Sequence, residues 1–209
     1  MFGNRSTKTL MTIHDDRAGE GATFAFPTMS SCAAVICVMQ DRLVGIHKTQ
    51  GNITGKPAQL FNYARNTLIH GDQIRMIVIA GWNATTGNSS MHSPTDIRSA
   101  LGAQNVPAYI FNYATTTKKT NGFTAHAMKT GATHAKMTDL CTFVSRNGTG
   151  FPFISVKRST KVTNVNTVMS SLQKQGHQFG SDTFRFGSVD EQVTSSHDHL
   201  INQDKFTQV

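Results

Sequence analysis

Two short apolar runs mark the first quarter of the chain: Ala33-Ala34-Val35-Ile36-Cys37-Val38 and Leu43-Val44-Gly45-Ile46-His47, with Met39 to Arg42 as a polar tip between them. Runs rich in Val and Ile, bounded by a turn, predict an antiparallel β-hairpin. With that tip, His47 falls opposite Ala34 and shares a face with Cys32, two residues earlier. Diagonal neighbours on one face stand roughly 7–8 Å apart, so a thiol and an imidazole there can extend toward each other. A slip of one residue would send them to opposite faces. The spacing therefore permits the pair without establishing it.

The same pattern organises the rest of the chain. Residues 1–21 are polar and read as a mobile arm, with a short first strand around Thr9 to Ile13. Ala22 to Met29 reads as a strand, with Phe24 and Phe26 on one face and Pro27 marking an edge or a bend. Pro57 opens a helix in which Leu60, Phe61, Ala64 and Leu68 recur at helical spacing, and Gly71 stops it. Arg75 to Gly81 is a continuous apolar strand. Ser93-Pro94-Thr95-Asp96 starts a second helix that runs to Leu101 and ends at Gly102. Val106 to Phe111 reads as a strand, and Phe123 to Met128 as another that turns at Lys129-Thr130-Gly131. Beyond residue 138 the pattern loosens: Leu140 to Val144 and Phe151 to Val156 read as strands, Thr163 to Leu172 as a short helix, and the rest as a weakly structured or docked tail. The order of elements predicts a layered α/β (α+β) fold, a β-sandwich or mixed sheet flanked by helices. Its parts are an arm at 1–21, a core domain at 22–138 and a C-terminal extension at 139–209.

Composition changes this picture little. The 209 residues suffice for one well-buried core. No apolar run approaches the roughly 20 residues of a membrane-spanning helix, and the N-terminus lacks the apolar core of a secretory signal. The expectation is a cytoplasmic protein, or one delivered into a host cell without a cleaved signal. Three cysteines, Cys32, Cys37 and Cys141, are too few and too irregular for a disulfide framework. The net charge of +8 raises the question of nucleic acid. Its Lys and Arg are dispersed, however, and no aromatic-rich strand accompanies them, so nucleic acid is not expected, and an acidic protein partner explains the charge equally well.

The chemistry on offer is that of a thiol beside an imidazole, the minimum set for acyl transfer. An oxyanion needs N–H donors, which the small-residue approach Ser30-Ser31-Cys32 can present. Cys37, five residues on, would face the other way as a small buried hydrophobe. On composition alone the better account is the plainer one, a core cysteine in a strand and a histidine at a strand end. His197-Asp198-His199, His177 and His126 read as solvated side chains. No metal site, cofactor or phosphate-binding loop is expected.

The ordered elements resemble the CheD family of chemoreceptor glutamine deamidases, which shares its catalytic core with the cytotoxic necrotizing factor toxins. Ser31-Cys32 before a small-apolar strand is similar to that family's Gly-Ser-Cys start, and Leu43-Val44-Gly45-Ile46-His47 to its strand ending in the catalytic histidine. The helix from Pro57, the strand closing in Gly81, the run Asn105-Val106-Pro107-Ala108 and the segment Phe123 to Gly131 follow in the family's order, over roughly residues 22–137. The resemblance implies Cys32 as nucleophile, His47 as general base and acid, and a protein glutamine side chain as substrate, converted to glutamate with release of ammonia. The family's orienting threonine lies six residues before the cysteine, where this chain has Phe26. Thr28 is the nearest hydroxyl of matching parity, and a backbone carbonyl can do the same work. Ser31, Thr49 and Trp82 are candidate substrate contacts, although a plain turn accounts for Thr49 and a core cap for Trp82. The departures, including Ser30 in place of glycine and the unmatched tail, favour a toxin or effector acting on some other protein over a chemoreceptor deamidase. A catalytically silent binding protein of the same fold, and a protease, transglutaminase or ester hydrolase using the same thioester, stay open.

Overall fold

The computed structural model describes residues 11–26, 29, 32–49, 51–81, 92–112, 140–158 and 203–209. Its centre is the hairpin of β4 (Ala33–Val38) and β5 (Leu43–Lys48), paired antiparallel with Ala34 opposite His47 and Val38 opposite Leu43. Every residue of both strands is buried, the condition under which a strand reads as an unbroken apolar run. On the other side of β4, β6 (Met76–Gly81) runs antiparallel, and β7 (Ala108–Asn112) lies parallel to β6. A parallel neighbour requires a crossover, and helix α2 (Pro94–Leu101) lies in that connection. Outer strands β2 (Arg17–Gly21), beside β5, and β10 (Thr207–Gln208), beside β7, complete a six-stranded mixed sheet.

A second sheet of four strands has the order β1 (Met11–Thr12), β3 (Thr23–Phe26), β8 (Leu140–Ser145), β9 (Phe153–Arg158). Strand parity then sorts the core in two. Ala34, Ile36, Val38, Leu43 and Val78 pack with Phe24, Phe26, Val144 and Ile154, between the sheets. Ala33, Val35, Cys37, Val44, Ile46 and Ile77 pack on the opposite face against Leu60, Phe61, Leu68, Ile97 and Leu101 of the helical layer. The described residues thus form a mixed α/β fold with a large mixed sheet and few helices.

The helix boundaries follow local chemistry. Helix α1 (Gly55–Tyr63) is preceded by an extended Thr54 and takes Pro57 in its first turn, where a missing N–H costs nothing. It widens into a π-helical stretch, Ala64–Ile69, and ends where His70 adopts φ +46. The Ser93 hydroxyl accepts the Asp96 N–H at the start of α2, and Gly102, at φ +69, ends it.

Two boundaries differ from the sequence reading. Within the segment read as a mobile arm, β1 falls inside the short strand expected around Thr9 to Ile13, but Arg17 to Gly21 also forms a strand, β2, in the other sheet, paired with Leu43 to His47. The segment is polar because it is an edge, and its partners lie far along the chain. Likewise, β8 pairs with β3, so a boundary at 138/139 cuts through a sheet whose strands bury one common core. Residues 203–209 also join the body: Phe206 packs against Phe111 and Phe151, at 5.3 and 4.9 Å between ring centroids. The strand expected at Phe123 to Met128 and the helix expected at Thr163 to Leu172 lie outside the described residues. Among the described residues no helix is long and apolar enough to cross a membrane.

Candidate functional site

Cys32 stands immediately before β4, and His47 is the fifth residue of β5. Both are buried, Cys32 at 3% and His47 at 0% relative exposure. The turn between β1 and β2 wraps around the imidazole. The His47 Nδ1–H donates to the Ile13 carbonyl at 2.8 Å. A carbonyl oxygen only accepts, so this bond puts a proton on Nδ1 and leaves Nε2 as the nitrogen that can take one up. Asp16 N–H donates to the His47 carbonyl at 3.0 Å, fixing the backbone of the same residue. Phe26, in the position where the resembled family carries threonine, meets the ring edge-on with centroids 5.9 Å apart. The ring is held by a backbone carbonyl and not by a hydroxyl.

Asp15 faces the other ring nitrogen. Its Oδ1 lies 3.2 Å from His47 Nε2, an ion-pair distance without the alignment of a hydrogen bond, and 3.9 Å from Cys32 Sγ. Asp15, Cys32 and His47 each bring one heteroatom to within 4.8 Å of the other two. The carboxylate is on the thiol's side of the ring. The Cys32 thiol donates to it, so the carboxylate competes with Nε2 for the thiol proton and does not extend a relay behind the ring. Asp15 is the most exposed of the three, its side chain 42% accessible, so the cluster opens to solvent along that side chain.

Charges around the pair are arranged by the same two strands. Lys48, next to His47 but on the helix-facing side, is buried, and its amine donates to the carbonyls of Thr49 (3.1 Å) and Gly51 (2.6 Å) and to His92 Nδ1 (3.4 Å). Burial pushes the amine down to about 8, against the opposing pull of Cys32, Asp16 and Asp96. His14 is pushed down to about 4 by burial, with the His47 and Arg17 charges adding to it, and is neutral near pH 7. Burial opposes ionisation of Asp16, but hydrogen bonds from Thr49 and Lys56 outweigh it and hold the carboxyl below its ordinary range. Asp16 itself sits at φ +53, a conformation that Asp tolerates better than most residues.

Gly81 explains how closely the strands can approach here. A Cβ on it would lie 2.7 Å from the Cys32 carbonyl oxygen and 2.8 Å from Ala33 Cα. Only glycine lets the end of β6 pass the backbone that carries the thiol.

Of the residues singled out from the sequence, Cys32 and His47 are brought together. Thr49 adjoins them, but its hydroxyl donates to Asp16. Thr28, Ser31 and Trp82 lie outside the described residues. The sequence reading missed Asp15, the Ile13 carbonyl and Lys48. Asp15 is 17 residues from Cys32, in a segment whose only local signal was polarity. A cavity of about 630 Å³, lined by Arg65, Ile69, Asp72, Arg75, Leu101 and Pro107 among others, opens at the opposite end of the large sheet and holds none of this chemistry.

Cys32 and Cys37 should differ in reactivity. Burial pushes the Cys37 thiol up to about 12, so it stays protonated at neutral pH. Iodoacetamide near pH 7 is expected to modify Cys32 at least about 10-fold faster than Cys37, read by peptide mass mapping. Equal, slow modification of both would show that the thiol of Cys32 is not activated.

Comparison with family models, with curated proteins and with solved structures finds no match to this chain.

Proposed function

We propose that this protein is a thiol-dependent acyl-transfer enzyme with Cys32 as nucleophile and His47 as general base and acid. Within that class, the reading is a protein glutamine deamidase of CheD-like fold, acting as a toxin or effector on a protein that carries an accessible glutamine. The observation that carries it is the His47 tautomer: with Nδ1–H bound to the Ile13 carbonyl, Nε2 is left on the side of the ring where the Cys32 thiol lies. The ordered resemblance along residues 22–137 supplies the substrate class, and the charge of +8 favours an acidic protein surface as partner.

The steps follow from these roles. Nε2 takes the thiol proton, and the thiolate attacks the carbonyl carbon of the glutamine side chain. The tetrahedral oxyanion is met by backbone N–H donors, which the sequence reading assigns to residues 30–32. The imidazolium gives its proton to the amide nitrogen, the C–N bond breaks, and ammonia leaves a thioester on Cys32. A water molecule, deprotonated by Nε2, attacks the thioester. Collapse releases glutamate, and the departing sulfur recovers its proton from the ring.

The experiment is mass spectrometry of a broad panel of proteins incubated with the wild type or with Cys32→Ser, scoring conversion of glutamine to glutamate at individual positions. Conversion that depends on Cys32 is expected at a small number of positions. No Cys32-dependent conversion anywhere in the panel would remove the deamidase reading.

A further inference from the structure

The three heteroatoms at the site form a ligand set as well as a nucleophile and its base. A thiolate, an imidazole nitrogen and a carboxylate oxygen are the donors that zinc takes, and a soft thiolate beside an imidazole selects zinc over calcium or magnesium. A tetrahedral zinc with ordinary bond lengths holds its ligand atoms roughly 3.4–3.6 Å apart. Here the carboxylate oxygen stands 3.2 Å from the ring nitrogen and 3.9 Å from sulfur, and all three fall within 4.8 Å. Small side-chain movements close that set around an ion.

A second observation is independent of those distances. Histidines that ligate metals donate their other N–H to a carbonyl or carboxylate, which fixes the ring and its tautomer. His47 does so through Nδ1 to the Ile13 carbonyl. The lone pair of Nε2 is thereby presented to the same space as Asp15 and Cys32. Asp15, the partly exposed member, lies where an ion would enter, and a water molecule can complete the fourth position.

We propose that Asp15, Cys32 and His47 bind a zinc ion, and that the metal-bound form is a silenced state in which the nucleophile is masked. The proposal rests on Cys32 being the nucleophile. Zinc binding displaces the thiol proton to solvent and occupies both the sulfur and the Nε2 lone pair, so neither remains for attack or proton transfer. A hydrolytic zinc would need a base for its bound water. Among the described residues the neighbouring carboxylate, Asp16, is instead turned toward Thr49 and Lys56.

The test uses the full chain and two readouts that do not require turnover. Titration with cobalt(II) as a zinc surrogate should give one equivalent of binding with a near-ultraviolet thiolate-to-metal absorption. That absorption should vanish in Cys32→Ser, and Asp15→Asn should weaken zinc binding by at least about 10-fold, the loss typical even of an outer partner. Zinc should protect Cys32 from iodoacetamide, and a chelator should restore labelling. Binding that is unchanged in Cys32→Ser, or labelling unaffected by stoichiometric zinc, would overturn the proposal. So would deamidation that rises when zinc is added. If the protein deamidates nothing with or without metal, the functional reading falls while the cobalt spectrum and the labelling still decide the metal site.

Discussion

Replacing His47 by alanine is expected to lower the rate of glutamine deamidation by about 10²–10⁴-fold, the range spanned by a positioned general acid–base. The loss has two sources. Without Nε2 the thiol keeps only the Asp15 carboxylate, a much weaker base, beside it, and the ammonia leaving group has no imidazolium to protonate it. The substitution also leaves the buried Ile13 carbonyl without its donor, at a cost of about 1–3 kcal/mol in stability. His47→Gln separates the two effects, because its amide can still donate to a carbonyl but cannot shuttle a proton. Rates of deamidation, and rates of Cys32 alkylation across pH, should fall in both variants, while the melting temperature falls more in the alanine variant. Retention of more than a tenth of wild-type turnover by His47→Gln would show that the imidazole is not the base.

A valine at Gly45 is expected to destabilise the fold by about 3 kcal/mol or more, the upper end of what overpacking a filled core costs. Gly45 lies two residues before His47 on the face turned to the small sheet. An added Cβ would stand 2.6 Å from Ile13 Cδ1, 2.8 Å from Phe26 Cζ and 3.1 Å from Phe24 Cδ2. Ile13 can swing the end of its side chain away, but the two rings are held by each other at 6.1 Å and by the core between the sheets. For a chain of this length the expected fall in melting temperature is roughly 6–12 °C. The site should feel it too: the displaced Ile13 carries the carbonyl bound to Nδ1, and the displaced Phe26 is the ring that meets His47 edge-on. Calorimetry and the Cys32 alkylation rate together check this. A variant that melts within 2 °C of wild type would mean that the layers separate more readily than their packing implies.

What could be read from the chain was whatever is written locally. The hairpin and its register followed from Val- and Ile-rich runs of fixed parity, and the pairing of Ala34 with His47 is the one that the four-residue tip gives. Both ends of α2 were legible because Ser93, Pro94, Asp96 and Gly102 each act within a turn of their own position. What was not legible is what depends on distant pairing. His14-Asp15-Asp16-Arg17 looks like any polar arm until β2 aligns with β5 and brings that turn against His47. The same holds for β8, whose place beside β3 depends on a partner more than a hundred positions upstream. The π-helical continuation of α1 carries no sequence mark of its own. Phe26, at the place where the resembled family has a hydroxyl, pointed to a missing contact; the contact is made by main chain at Ile13, which side-chain patterns do not register.

The segment from Met11 to Gly21 contributes one strand to each sheet, and the bend between them carries the carbonyl that holds the imidazole. It is a staple whose two legs sit in different layers. Any sliding of one layer over the other would pull that staple and rotate the ring, so the alignment of the reactive pair acts as a gauge of how well the two layers are seated. Substitutions deep in the seam, far from any substrate, should therefore register first as a change in sulfur reactivity and only later as unfolding.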